Sequence, residues 1–277
     1  MRQALRRLTV FALCWVTPAL TAWDAKAADE APSIRSLSVV GTEFHVTLSD
    51  GSLLRSVDLV GAVLNVAGGL RLRLDAVEPD PQNGRGRVVL HSFSVEQADG
   101  SWLNPCSPGS NGRQQGFPLA GRALPDGQLV AQADSFEIVC SSGAQGKCVR
   151  FGYHPWEQDL DGPPMLDLYN ACIRLVRADY CGDGSATTRD GTLIDLYDRF
   201  GIQKDEPSDG RSFEAAWGPE GAVCLARTRI AETASIEEVV SRCPRLQQVP
   251  IGSACTEAEA KKLLRTLLFN KSFPKER

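Results

Sequence analysis

Apolar and polar positions alternate along the first third of the chain. In Glu43–Leu48 the apolar Phe44, Val46 and Leu48 interleave with Glu43, His45 and Thr47, and Asp50-Gly51 supplies a tight turn. That period of two predicts a half-buried strand and a hairpin. The habit continues through Val57 to Val66, Leu70 to Val77 and, after a Pro- and Asn-Gly-containing loop at Glu78 to Arg87, Val88 to Val95. Residues 34–145 therefore read as an antiparallel β region. Within it, Asn104 to Asp126 is rich in Gly, Pro and Ser and reads as a long connection, followed by a strand at Phe136 to Cys140.

The period changes after Gly146. Pro163-Pro164 opens a helix in which Met165, Leu168, Cys172, Leu175 and Val176 recur at helical spacing, ending near Asp179. Short strands follow at Thr192 to Tyr197 and Ala222 to Thr228, between Gly-containing turns. Ser235 with Glu238 and Thr256 with Glu259 form capping boxes that open two helices, the second carrying Ala260, Leu263, Leu264, Leu267 and Leu268 on one face. The expected fold is α+β: an antiparallel β region, a disulfide-stabilised α+β region over 147–231 and a C-terminal helical tail over 232–277.

Composition adds an address. Arg2, Arg6 and Arg7 precede an apolar run from Leu8 to Leu20, and Ala25-Lys26-Ala27 is an Ala-x-Ala cleavage site. Residues 1–27 read as a secretory signal peptide; the run is too short, and interrupted by Pro18, to span a bilayer. Removing it takes away four basic residues and Asp24, so the formal charge moves from −4 to −7. An acidic mature chain argues against nucleic acid and anionic membranes as partners. Arg exceeds Lys 23 to 7, a bias of GC-rich genomes that fits a Gram-negative bacterium. Location in its periplasm or outside the cell follows, with another cell-envelope protein as the partner class.

Cys14 leaves with the signal, and eight cysteines remain: Cys106, Cys140, Cys148, Cys172, Cys181, Cys224, Cys243 and Cys255. An even number in an exported chain implies a disulfide framework, and the absence of any Cys-x-x-Cys argues against structural zinc. Their pairing is open among 105 connectivities. Sequence-local pairing would join Cys106 to Cys140 and Cys243 to Cys255.

Between 147 and 229 the residues form a recognisable set: Lys147-Cys148-Val149-Arg150-Phe151-Gly152-Tyr153-His154-Pro155-Trp156, Ala171 to Gly184 including Ala178-Asp179-Tyr180-Cys181, Thr188-Arg189-Asp190-Gly191-Thr192, and Ala215-Ala216-Trp217-Gly218-Pro219-Glu220-Gly221-Ala222-Val223-Cys224. This segment resembles the bacterial ADYC-domain family, extending back to Trp102-Leu103-Asn104-Pro105-Cys106. The resemblance implies an exported, cysteine-containing domain and carries no catalytic residue across.

Candidate chemistry therefore comes from the residues. Asp179, Asp183 and Asp190 occupy positions 1, 5 and 12 of a partial EF-hand-like loop with Gly184 at position 6, so calcium is the one cofactor the pattern would accept. Cys181 at position 3 and Gly191 after position 12 depart from it, and the competing reading makes these aspartates turn and ion-pair residues. Tyr180-Cys181-Gly182-Asp183-Gly184 also resembles the calcium loop of secreted phospholipases, but the chain's three histidines, His45, His91 and His154, all lie upstream and leave no downstream base. His154, beside Tyr153 and Pro155-Trp156, is the one histidine placed to be catalytic, with Asp179 and Asp183 as further candidates. Two function classes stand: a non-enzymatic structural or interaction module, and a hydrolase, calcium-assisted, using acidic residues of 179–198. Convergence of His154, Asp179 or Asp183 in a cavity would favour the second.

Overall fold

A computed structural model describes residues 32–82, 87–158, 162–207 and 209–274; the signal peptide read in residues 1–27 lies outside them. The first strands are β1 (Ile34–Val40), β2 (Glu43–Leu48), β3 (Leu53–Arg55), β4 (Val63–Asn65), β5 (Arg71–Pro79) and β6 (Val89–Glu96). Then come β7 (Trp102–Leu103), β8 (Gly116–Ala120), β9 (Arg122–Ala123), β10 (Leu129–Val130) and β11 (Phe136–Cys140). The remainder comprises α1 (Ala144–Arg150), α2 (Met165–Arg177), β12 (Ile194–Asp198), β13 (Ser212–Gly218), β14 (Gly221–Leu225), α3 (Ile236–Arg242), α4 (Glu257–Ala260) and β15 (Leu268–Ser272). The fold is α+β, with antiparallel strand pairing throughout these named strands.

β1-β2-β3 form one sheet, and β11-β8-β6-β5-β4, with β7 on β6, form a second. The apolar face that alternation produced in β2 packs Phe44 and Val46 against Leu64, Leu72, Leu74 and Phe93 of the second sheet. A larger core begins on β6, β8 and β11 with Leu90, Phe117, Leu119 and Val139, and continues through Cys148, Val149, Leu168, Tyr169, Leu175 and Trp217. Side chains from both sides of residue 146 thus share one core. β8 falls in the stretch that composition read as a connection. Gly116 is required there, because a Cβ would stand 2.4 Å from the Val139 carbonyl oxygen.

β9 and β10 pair as a two-stranded sheet, and the four-stranded sheet β12-β15-β13-β14 receives α2 on one face. Its inner strand β15 corrects the expected second C-terminal helix. Thr256 does accept the Glu259 N–H, but α4 stops after one turn at Ala260, whose carbonyl is capped by the Thr266 hydroxyl at 2.9 Å. Leu268 to Ser272 instead pairs with β12 on one side and β13 on the other. Satisfying backbone groups on both edges, with Phe269 and Asn270 buried, outweighs the helical periodicity of the leucines. Leu264, expected on the apolar face of that helix, is 96% exposed. No helix among the described residues is long and apolar enough to cross a membrane.

Four disulfides tie these elements: Cys106–Cys140, Cys148–Cys172, Cys181–Cys243 and Cys224–Cys255. The first is the expected local pair. The expected Cys243–Cys255 pair is not formed, because α3 lies against the loop after α2 while Cys255 lies against β14; each finds a partner distant in sequence and 5.5 to 5.6 Å away between Cα atoms.

Candidate functional site

The tetrapeptide Ala178-Asp179-Tyr180-Cys181 follows α2 directly. Ala178 adopts the left-handed conformation (φ 50°, ψ 41°) that ends the helix, its N–H bonding the Leu175 carbonyl while the Asp179 N–H reaches that of Arg174. For an alanine this costs about 1 kcal/mol or more. The cost is met by burial and by Thr187, whose hydroxyl donates to the Ala178 carbonyl at 2.6 Å.

Asp179 organises the loop that follows. Its carboxylate accepts the N–H groups of Gly182, Asp183 and Gly184 at 2.9, 3.2 and 2.9 Å, and Arg174 Nη1 at 2.7 Å. Arg174 also donates to Asp126 and to the Pro219 carbonyl. Both Asp179 and Arg174 are fully buried. Charge-assisted bonds on this scale are what make a buried carboxylate tolerable.

Tyr180 turns inward. Its ring stacks on Trp217 at 5.2 Å, and its hydroxyl donates to Glu214 at 3.0 Å while accepting the Arg229 N–H at 2.7 Å. Burial pushes the phenol far above its ordinary value, and the Glu214 charge adds to that. Burial also penalises the Glu214 carboxylate, but the Arg229 charge and the hydrogen bonds of Arg229 and Ser272 outweigh it and hold Glu214 below the usual range. Arg229 then donates to the carbonyls of Leu175 and Val176, closing the last turn of α2. Cys181 completes the tetrapeptide by bonding Cys243. Each of the four residues thus ends, folds, anchors or ties the backbone.

The sequence-predicted site residues do not converge. Asp183 accepts the Ser185 N–H at the loop surface, and Asp190 is exposed in the turn before β12. Among the described residues no group of three or more His, Cys, Asp or Glu side chains is placed to hold a metal ion. His154 is 3% exposed, stacked on Trp156, with Nδ1 2.9 Å from Glu157, which in turn pairs with Arg87. Cavities of about 680, 560 and 470 Å³ are lined by none of His154, Asp179, Asp183 and Asp190.

Several partners lay beyond sequence reasoning. Asp126, Glu214 and Arg229 come from distant segments, and no spacing marks them as partners of the tetrapeptide and α2. Asp198, the last of the acidic residues in the 179–198 stretch offered for a hydrolase, holds a turn instead. It accepts the N–H groups of Phe200, Ile202 and Gln203 at 2.7, 3.2 and 2.7 Å and the Tyr153 hydroxyl at 2.9 Å, the same architecture as Asp179. The shared signal was an aspartate closing an element before a glycine-containing turn.

No curated protein and no solved structure matches the chain. The family model described as the ADYC domain matches residues 38–231, reaching through the second sheet and into the first. With more than half of its length matched, and with Ala178 and Tyr180 of the tetrapeptide in the larger core, the chain belongs to the ADYC domain family.

Proposed function

We propose that this is an exported, non-enzymatic interaction module of the cell envelope or extracellular space, a scaffold that holds surfaces in place rather than turning over a substrate. One observation carries the reading: the polar groups of the tetrapeptide are consumed by internal bonds, with Asp179 spending its carboxylate on three backbone N–H groups and Arg174. An acid, base or ligand must keep a lone pair or proton available to a substrate. The four disulfides support an oxidising address. A partner protein of the same compartment is the kind of ligand such a scaffold takes.

The test expresses the chain with its own first 27 residues in a Gram-negative host, alkylates thiols in the intact cells, and weighs the product. The proposal predicts a chain beginning at Ala28, recovered outside the cytoplasm, with no alkylated cysteine. Retention of residues 1–27 together with alkylated thiols contradicts it.

A further inference from the structure

The cavity of about 680 Å³ lies where residues outside the family match meet residues inside it. Gln248, Val249, Leu263, Leu264 and Leu267 form one wall, and Asp167, Glu220 and Val223 belong to the other. We infer that this groove receives an extended segment of a partner protein that presents one basic side chain flanked by apolar ones. The inference rests on the interaction-module reading and names the partner chemistry.

Asp167 carries the argument. It is the third residue of α2, where an acidic side chain ordinarily reaches back to the N–H of the capping residue. Here the cap is Pro164, which has no N–H, and α2 has no side-chain cap. Among the described residues, the Asp167 carboxylate makes no hydrogen bond or ion pair, and burial lifts it above its ordinary value. A half-buried carboxylate without a partner recovers its lost hydration when a cation docks beside it.

The remaining charges narrow the choice. Arg245 spends its terminal nitrogens on the carbonyls of Ala222 and Tyr180 and faces Glu220 with its charge, so it braces the wall rather than filling the groove. Arg265 lines the rim and makes no ion pair among the described residues, so it opposes a second basic residue and disfavours a polybasic run. Leu264, 96% exposed at the lip, offers apolar surface that a small molecule inside the cavity would not cover and a passing peptide would. A second copy of this chain, itself acidic at pI 5.5, is disfavoured by an uncompensated carboxylate.

The experiment measures fluorescence anisotropy of a labelled Ala-Leu-Lys-Leu-Val-Ala peptide, and of its Glu-for-Lys counterpart, on the oxidised full chain. The lysine peptide should bind at least about tenfold tighter, and Asp167→Asn should weaken it about tenfold, the scale of one charge-assisted hydrogen bond. Leu264→Ser should also weaken it, whereas Glu232→Gln, an equal charge change at an exposed residue outside the groove, should leave it within about twofold. Unchanged binding to Asp167→Asn, equal loss in Glu232→Gln, or burial of the groove in a homodimer by sedimentation overturns the assignment. Mass analysis of the recovered peptide separates the two levels: an intact but unbound peptide overturns the groove alone, and a cleaved one overturns the module reading beneath it.

Discussion

The Asp179 carboxylate lies 2.7 Å from Arg174 Nη1, and neither side chain has any exposure to water. The pair joins the last turn of α2 to the loop that the helix feeds. Arg174 carries the link onward to the Asp126 turn and the Pro219 carbonyl. One ion pair therefore fixes three separate stretches of backbone, and loss of either partner leaves the other buried with its countercharge reduced.

The glycine at the centre of that loop is predicted to be intolerant of any side chain. Gly182 has φ +76°, and a Cβ would stand 2.0 Å from the Glu220 carbonyl oxygen. Gly182→Ala should cost at least about 2 kcal/mol in urea unfolding, from left-handed strain plus backbone displacement. Gly191→Ala, with φ +85° in open space, should cost about 1 kcal/mol from conformation alone. Equal losses at the two positions would show that the Glu220 contact does not matter.

Acid sensitivity should trace to a residue far from the tetrapeptide. His91 is fully buried and stacked on Phe93 at 5.4 Å; burial pushes its imidazole from 6.5 down to about 4, against partial opposition from the backbone of Val89 and Gly116. The unfolded chain then takes up this proton before the folded one. Stability from this group is whole above pH 6.5 and falls as pH drops toward 4, by about 3 kcal/mol in total. His91→Phe should flatten the denaturation midpoint across that window. A variant with the native slope would assign the acid sensitivity elsewhere.

Peptide mapping of the oxidised protein should recover Cys106–Cys140, Cys148–Cys172, Cys181–Cys243 and Cys224–Cys255. Replacing both Cys181 and Cys243 by Ser opens a loop of 62 residues and should cost about 4 kcal/mol on the chain-entropy account. The 24-residue Cys148–Cys172 loop should cost about 3 kcal/mol by the same reasoning. A Cys243–Cys255 peptide would refute this arrangement of α3.

Calcium gives a further check. With the Asp179 carboxylate engaged by its own loop and Asp190 apart from it, millimolar calcium added to chelator-treated protein should leave Tm unchanged. A rise of several degrees would mean that the loop opens to accept the cation.

What the sequence disclosed and what it withheld follow from the range of the forces involved. Glu43–Leu48 and Phe136–Cys140 match β2 and β11 residue for residue, because alternation is a local signal. The Ser235–Glu238 capping box likewise opens α3. By contrast, Leu263 to Leu268 reads as a helix face until β12 and β13 bring two unsatisfied edges to it. Gly116–Ala120 reads as a connection until its close approach to Val139 is seen. The tetrapeptide's importance was visible, but its work was not: an aspartate bound to its own loop and an aspartate awaiting calcium have the same spacing, and the difference lies in how Arg174 is aimed at Asp179, with Asp126 and the Pro219 carbonyl brought to Arg174 by the fold.

The most direct measurement is a double-mutant cycle on Arg174 and Asp179. Arg174→Met and Asp179→Asn, singly and together, are compared with the native chain by urea unfolding under oxidising conditions. If the tetrapeptide is a structural keystone, each single change costs about 3 to 5 kcal/mol and the double costs at least about 2 kcal/mol less than their sum. Single changes below about 0.5 kcal/mol that add without coupling would contradict the account.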